Sequence, residues 1–222
     1  MARYRLLVLI GVVWSWFAIG CTEYQKLPIQ IFVDGDYGDI EHQAIVDALD
    51  QWNDWAGWRY AYGDRVFDYR GRIDDDFTEA DYGDQIHVAY RISEPNPDVQ
   101  YLIDLYAGRG GVGAYSPMSD MFIVMYTVDA QLLELDARLR QEIAAGEIEP
   151  MDVDAYIRDR RYGLVQNFAL HEFGHMLGLM HYNHRPGVMN SDGPNIYEGI
   201  DTLSDADLDA FCLIYDCCRT DR

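Results

Sequence analysis

The residues with the clearest chemical potential lie in one short run: His171, Glu172, Phe173, Gly174, His175, Met176, Leu177, Gly178, Leu179, Met180, His181. On a helix, positions four apart are offset by only about 40 degrees. His171 and His175 therefore project from one face, one turn apart, and can share a metal ion. Gly178 falls where the helix should stop, because glycine takes the left-handed conformation that lets a chain reverse, and the reversal can bring His181 in as third ligand. Three protein ligands leave the fourth position of a tetrahedral zinc open to water, which separates a catalytic site from a closed structural one. Glu172 sits about 100 degrees around the helix from His171, placed to reach that water without ligating the ion. Such a set serves hydrolysis: the ion draws the pKa of water toward about 7, and Glu172 takes the proton as general base and returns it to the leaving amine. Imidazoles in this geometry suit zinc best, with cobalt and manganese as alternatives. A core helix with incidental histidines is the bland account. The five-residue pattern of His171, Glu172, His175, Gly178 and His181 is far more specific than the bare two-histidine motif.

Several elements must position these groups. Leu164 to Leu177 reads as a helix, with Leu164, Val165, Phe168, Phe173 and Leu177 apolar. Ala130–Ile143 and Met151–Arg161 also read as helices, parted by Gly146 and Pro150, the second able to run on into the histidine helix. Near the start, Ile29–Val33 reads as a strand closed by the turn Asp34, Gly35, Asp36. From Glu41 to Trp55 the apolar residues recur at three and four, as in an amphipathic helix packed on a sheet, with Gly57 marking its end. Trp58–Tyr62, Gln85–Ile92, Gly111–Tyr115 and Met121–Tyr126 read as further strands of one sheet, of directions that this pattern leaves open. Asp64, Asp68, Asp74, Asp75, Asp76, Asp81 and Asp84 make an acidic loop that is either a calcium-holding loop or a solvated one, without EF-hand spacing. Ser204 and Asp207 form a capping box opening a closing helix that buries Leu208, Phe211 and Ile214.

The chain of 222 residues suits one well-buried domain with a short appendage. A formal charge of −21, from 38 acidic against 17 basic residues, argues against a nucleic-acid partner, since phosphate binding requires clustered Lys and Arg. It favours cationic partners or simply solubility. Arg3 and Arg5 precede an apolar run from Leu6 to Ile19, short for a membrane span and suited to a secretory signal. Ala18, Ile19, Gly20, Cys21 resembles a bacterial lipobox, in which Cys21 is lipidated and becomes the new N-terminus, with an ordinary secretory peptide as the alternative. Residues 1–20 are thus expected to be a signal peptide and 21–26 a short tether. The protein is expected to be exported and anchored to a membrane in the periplasm or at the cell surface, or else secreted. In that oxidising setting a disulfide from Cys212 to either Cys217 or Cys218 is expected, and the spacing matches no common zinc finger.

Taken with Met189 in the run Gly187, Val188, Met189, Asn190, the extended three-histidine motif resembles that of the metzincins, zinc proteases in which a methionine turn follows the third histidine. The order of strands and helices, the short distance to Met189 and the closing helix opened by Leu203, Ser204 and Asp205 look closest to the matrixins. The resemblance covers roughly residues 27 to 216, within an expected catalytic domain of 27–218. It implies an α+β, metzincin-like (zincin) fold: a twisted five-stranded, mostly parallel sheet with one antiparallel edge strand, an active-site helix and a C-terminal helix. It also implies that Met189 forms an apolar floor beneath the metal, and that an extended substrate adds to the edge strand at Gly113, Ala114 and Tyr115. The wall of the main specificity pocket would come from about Asn190 to Thr202. Tyr182, after the third histidine, departs from the matrixin pattern, no cysteine-switch propeptide is present, and the helical stretch from Ala130 to Tyr162 is longer than expected. His184 lies beyond the completed triad and reads as a surface residue. The expected function is a zinc-dependent endopeptidase acting on a protein or peptide. The alternatives are a surface lipoprotein that binds zinc or peptides without cleaving them, and a structural surface protein on a protease-like fold. Glu172 separates the first two, because a binding module has no use for a carboxylate placed to activate water.

Overall fold

The computed structural model describes residues 27–59, 65–73, 86–95, 97, 100–101, 114–115, 120–182, 186–190 and 202–215. Four parallel strands form the body of the sheet: β1 (Ile29–Asp34), β2 (Phe67–Ile73), β3 (Ile86–Ile92) and β5 (Met121–Val124), in the order β2-β1-β3-β5. Beyond β5 the two residues of β4 (Ala114–Tyr115) pair antiparallel with it, Ala114 opposite Ile123 and Tyr115 opposite Phe122. Helix α1 (Asp39–Arg59) connects β1 to β2; α2 (Met125–Ala145) follows β5 directly, then come α3 (Val153–Met176) and α4 (Asp205–Tyr215).

Parallel strands, the first two joined through α1, with three further helices among the described residues, make this an α/β architecture and not the α+β class expected. Parallel sheets are covered on their faces, so their strands carry runs of apolar residues in place of clean alternation. β1 shows this, with Ile29, Ile31, Phe32 and Val33 all buried. The structure differs from expectation in three other places. Gly57 does not end the first helix, which continues to Arg59, so Trp58 and Arg59 are helical and not part of a strand. Phe67–Ile73, taken as part of an acidic loop, is β2, with Asp68 inside it. Met125 and Tyr126 belong to α2, which starts earlier than the apolar alternation at Met121–Tyr126 implied. The remaining aspartates of the acidic loop, 60–62 of the expected strand and residues 1–26 lie outside the described residues. Among the described residues, no helix is long and apolar enough to cross a membrane.

The core lies between the sheet and α1 and α3, which pack along one another. Trp52 of α1 is buried and donates its indole N–H to the carbonyl of Leu170 at 3.0 Å, locking α1 to the middle of α3. Asn53 accepts from the backbone N–H groups of Val66 and Phe67 and donates to the carbonyl of Phe67, so α1 also fixes the entry to β2. A further tie is ionic. Buried Glu41 of α1 receives Arg91 of β3 and Arg161 of α3, and Arg161 also reaches Asp129 of α2. Breaking one partner of such a network strands a buried charge, so these contacts fix the relative placement of four elements more than they add stability.

Candidate metal centre

α3 begins with Asp152, whose side chain accepts from the N–H of Ala155 at 3.0 Å as an N-cap. It ends at Met176, and Gly178 follows at φ +84. That left-handed residue, with its N–H donating to the carbonyl of His175 and Leu179 donating to that of Gly174, turns the chain back toward the helix. The turn delivers His181 beside His171 and His175. The Nε2 atoms of His171 and His175 each lie 3.0 Å from Nε2 of His181. One ligand atom from each residue falls within 4.8 Å of the others, and this is the group of metal-ligating side chains gathered closely enough for one ion among the described residues.

The other ring nitrogens decide what these three can do. Nδ1 of His171 meets the carbonyl of Val188 at 2.5 Å, and Nδ1 of His175 meets the carbonyl of Leu179 at 2.8 Å. A carbonyl only accepts, so Nδ1 carries the proton and each neutral Nε2 presents a lone pair toward the shared point. Burial, then the neighbouring imidazoles, pushes His171 down to about 3. Burial also lowers His175 and His181. All three are thus held in the neutral form that binds metal. A tetrahedral zinc with nitrogen ligands at about 2.0–2.1 Å sets those nitrogens roughly 3.4 Å apart, close to the spacing seen. The donor set fits zinc.

Glu172 is the other half of the site. It is 4% exposed, and its Oε2 is buried without a hydrogen-bond partner. Burial pushes its carboxyl up to about 8. An unpaired buried carboxyl oxygen costs on the order of 1–3 kcal/mol, a cost that a purely structural helix has no reason to carry.

Met189 lies beneath the helix. It is fully buried, and a Cβ added to Gly174 would stand 2.3 Å from its Sδ, so only glycine at 174 admits the methionine. Tyr182 donates its backbone N–H to the carbonyl of Met189, closing the segment from His181 to the methionine into a compact loop. Ser204 and Asp207 do form the expected capping box, with Ser204 N–H donating to Asp207 at 2.8 Å and Asp207 N–H to Ser204 Oγ at 3.3 Å. Leu208 and Phe211 are buried as expected, and Ile214 is partly so.

Other expected site residues are placed less fully. Ala114 and Tyr115 form the short edge pairing on β5, beside α3. Gly113, His184, 191–201 of the expected pocket wall, Cys21, Cys217 and Cys218 lie outside the described residues. Cys212 is buried and disulfide-bonded. The described residues hold no acidic group gathered for calcium. Two features escaped the sequence reading: the carbonyls of Val188 and Leu179 that orient the imidazoles, which are backbone atoms with no sequence signature, and the second role of Asp207 at the methionine turn, which its capping role concealed.

No protein-family model matches the sequence, and no curated protein does. Among solved structures the chain is similar to archaemetzincin from Methanopyrus kandleri, at 14% identity, over 84% of this chain and 94% of that one, with a TM-score of 0.47. The chemistry of the site is therefore read from its own residues.

Proposed function

We propose that the chain is a zinc-dependent endopeptidase of metzincin type, with His171, His175 and His181 holding the ion and Glu172 as general base. The observation that carries this reading is the set of three converging imidazole nitrogens, together with the unpartnered, buried Oε2 of Glu172, the residue that follows His171. A zinc ion there would supply the acidification of water and the polarisation of a peptide carbonyl. The chain's own residues do the rest. Glu172 accepts a proton from the attacking water and delivers it to the leaving nitrogen, and its dry surroundings raise its affinity for that proton. The Val188 and Leu179 carbonyls keep His171 and His175 in one tautomer and orientation. The edge at Ala114–Tyr115 offers backbone groups to which an extended substrate can add as a strand.

The reading extends, on the sequence pattern alone, to a matrixin-like subtype, export under a signal peptide and lipid anchoring through Cys21. Casein cleavage by the full chain tests the core of the proposal. Activity should vanish on removal of metal by a chelator and return with one equivalent of zinc. Zinc bound stoichiometrically without cleavage of casein or gelatin would favour the binding-lipoprotein reading. A folded chain that takes up no zinc would end both.

A further inference from the structure

Asp207 is fully buried, and its carboxylate collects donors from three parts of the chain. Oδ1 accepts from the Tyr182 hydroxyl at 2.5 Å and the Met189 N–H at 3.1 Å. Oδ2 accepts from the Val188 N–H at 3.1 Å, and from the N–H and hydroxyl of Ser204 at 2.8 and 2.7 Å. Two of these partners lead directly to metal ligands. Val188 is the residue whose carbonyl receives His171 Nδ1, and Tyr182 follows His181 in the chain. His175, by contrast, is oriented by Leu179, with no link to Asp207.

The packing around the carboxylate is closed. A Cβ at Gly187 would lie 2.0 Å from the Tyr182 hydroxyl, 2.6 Å from Ser204 Oγ and 2.8 Å from Asp207 Oδ2, so no side chain fits where these groups meet. A helix N-cap needs only the Ser204 contacts. The Tyr182, Val188 and Met189 contacts have no part in capping.

We propose that Asp207, with Tyr182 as its lever, is the positioning residue of the metal centre, holding His171 and His181 in register while His175 is set independently. This rests on the zinc reading of the site. Groups that orient metal ligands from behind typically change metal affinity by 10–100-fold when removed. Tyr182→Phe deletes one hydroxyl and keeps the ring. Asp207→Asn turns one acceptor oxygen into a donor facing N–H and O–H groups.

The test is zinc affinity of the full chain, measured by competition with a chromophoric chelator, alongside thermal unfolding of the metal-free forms. The parent should bind one zinc. Tyr182→Phe should fold and melt like the parent yet bind zinc about tenfold more weakly, with Asp207→Asn weaker still where it folds. Ser204→Ala removes contacts to the same carboxylate from the capping side only. It should lower the melting temperature and leave zinc affinity within about twofold of the parent. Parental affinity in Tyr182→Phe, or equal weakening in Ser204→Ala, would overturn the proposal and reduce Asp207 to a helix cap. A parent that binds no zinc would instead overturn the reading on which it rests.

Discussion

The two halves of α3 have opposite surroundings. From Val153 to Gly163 only Val153 is fully buried: Asp154, Tyr156, Arg158 and Asp159 are exposed, and Arg158 pairs with Asp159, while Arg161 turns inward to Glu41. From Leu164 to Met176 every residue is buried except His175, including the polar Gln166, Asn167, His171 and Glu172. The exposed charge on the first half, Arg161 apart, is nearly free of cost, because exposed ion pairs contribute roughly 0–1 kcal/mol and their loss matters little. On the second half each polar group forgoes water. The difference teaches where selection for something other than stability has acted. A helix buried all round is normally filled with apolar side chains, and here His171, with the half-buried His175, is turned to the shared point with His181, while Gln166 bonds to Tyr162.

The sharpest way to break the comparison is to remove a ligand. His171→Ala should abolish stoichiometric zinc binding and, with it, casein cleavage, as read by metal analysis of the purified chain. Gly174→Ala comes next. Its methyl would meet Met189 Sδ, and overpacking of this kind costs about 1–3 kcal/mol, so chemical denaturation of the metal-free chain should show that loss.

A titration sharpens the contrast further. Between its ordinary 4.5 and about 8, Glu172 keeps a proton in the folded chain that the unfolded chain has released, so metal-free stability falls as pH rises through that window. Between 6.5 and about 3 the unfolded chain protonates His171 while the folded chain does not, so stability falls as pH drops. Each contributes a slope of about 1.4 kcal/mol per pH unit. The two oppose each other where they overlap, and the lowered His175 and His181 tip the balance toward loss in acid. Metal-free stability should therefore peak near pH 6.5, and Glu172→Gln should flatten the alkaline side. A pH-stability profile by denaturation, without a maximum there, would contradict this account of the buried half. The smallest effect belongs to the solvated half: Tyr156, 41% exposed, should tolerate Tyr156→Ser with a change within about 0.5 kcal/mol in the same assay.

The sequence carried the centre of this molecule better than its frame. His171, Glu172 and His175 announce themselves because helical periodicity converts a spacing of one, three and four into a fixed geometry, and Gly178 announces the reversal because few other residues allow it. The run-on of Met151–Arg161 into the histidine helix was legible because only Tyr162 and Gly163 stand between them and no proline does, and the helix passes through Gly163. β2 was missed although Phe67, Tyr69 and Ile73 alternate with Asp68, Arg70 and Arg72, because Asp68 and the aspartates that follow at 74–76 made the stretch resemble an acidic loop, and its pairing with β1 is what marks it as a strand. α1 overran Gly57 because tertiary packing outweighs the roughly 1 kcal/mol that glycine costs a helix. Asp207 was read only as a cap, because its contacts to Tyr182, Val188 and Met189 depend on a fold that brings three distant stretches together. Tyr182, noticed only as a departure from a familiar pattern, gains a physical role from that same contact.

The most direct test of the central claim is a comparison of the parent chain with Glu172→Gln, in which zinc content and casein cleavage are measured on the same preparations. The account predicts one zinc in both and a loss of cleavage on the order of 10²–10⁴-fold in the variant. Cleavage at the parental rate with zinc retained would show that the buried carboxyl is not the base. Loss of zinc from the variant would show that it is a ligand.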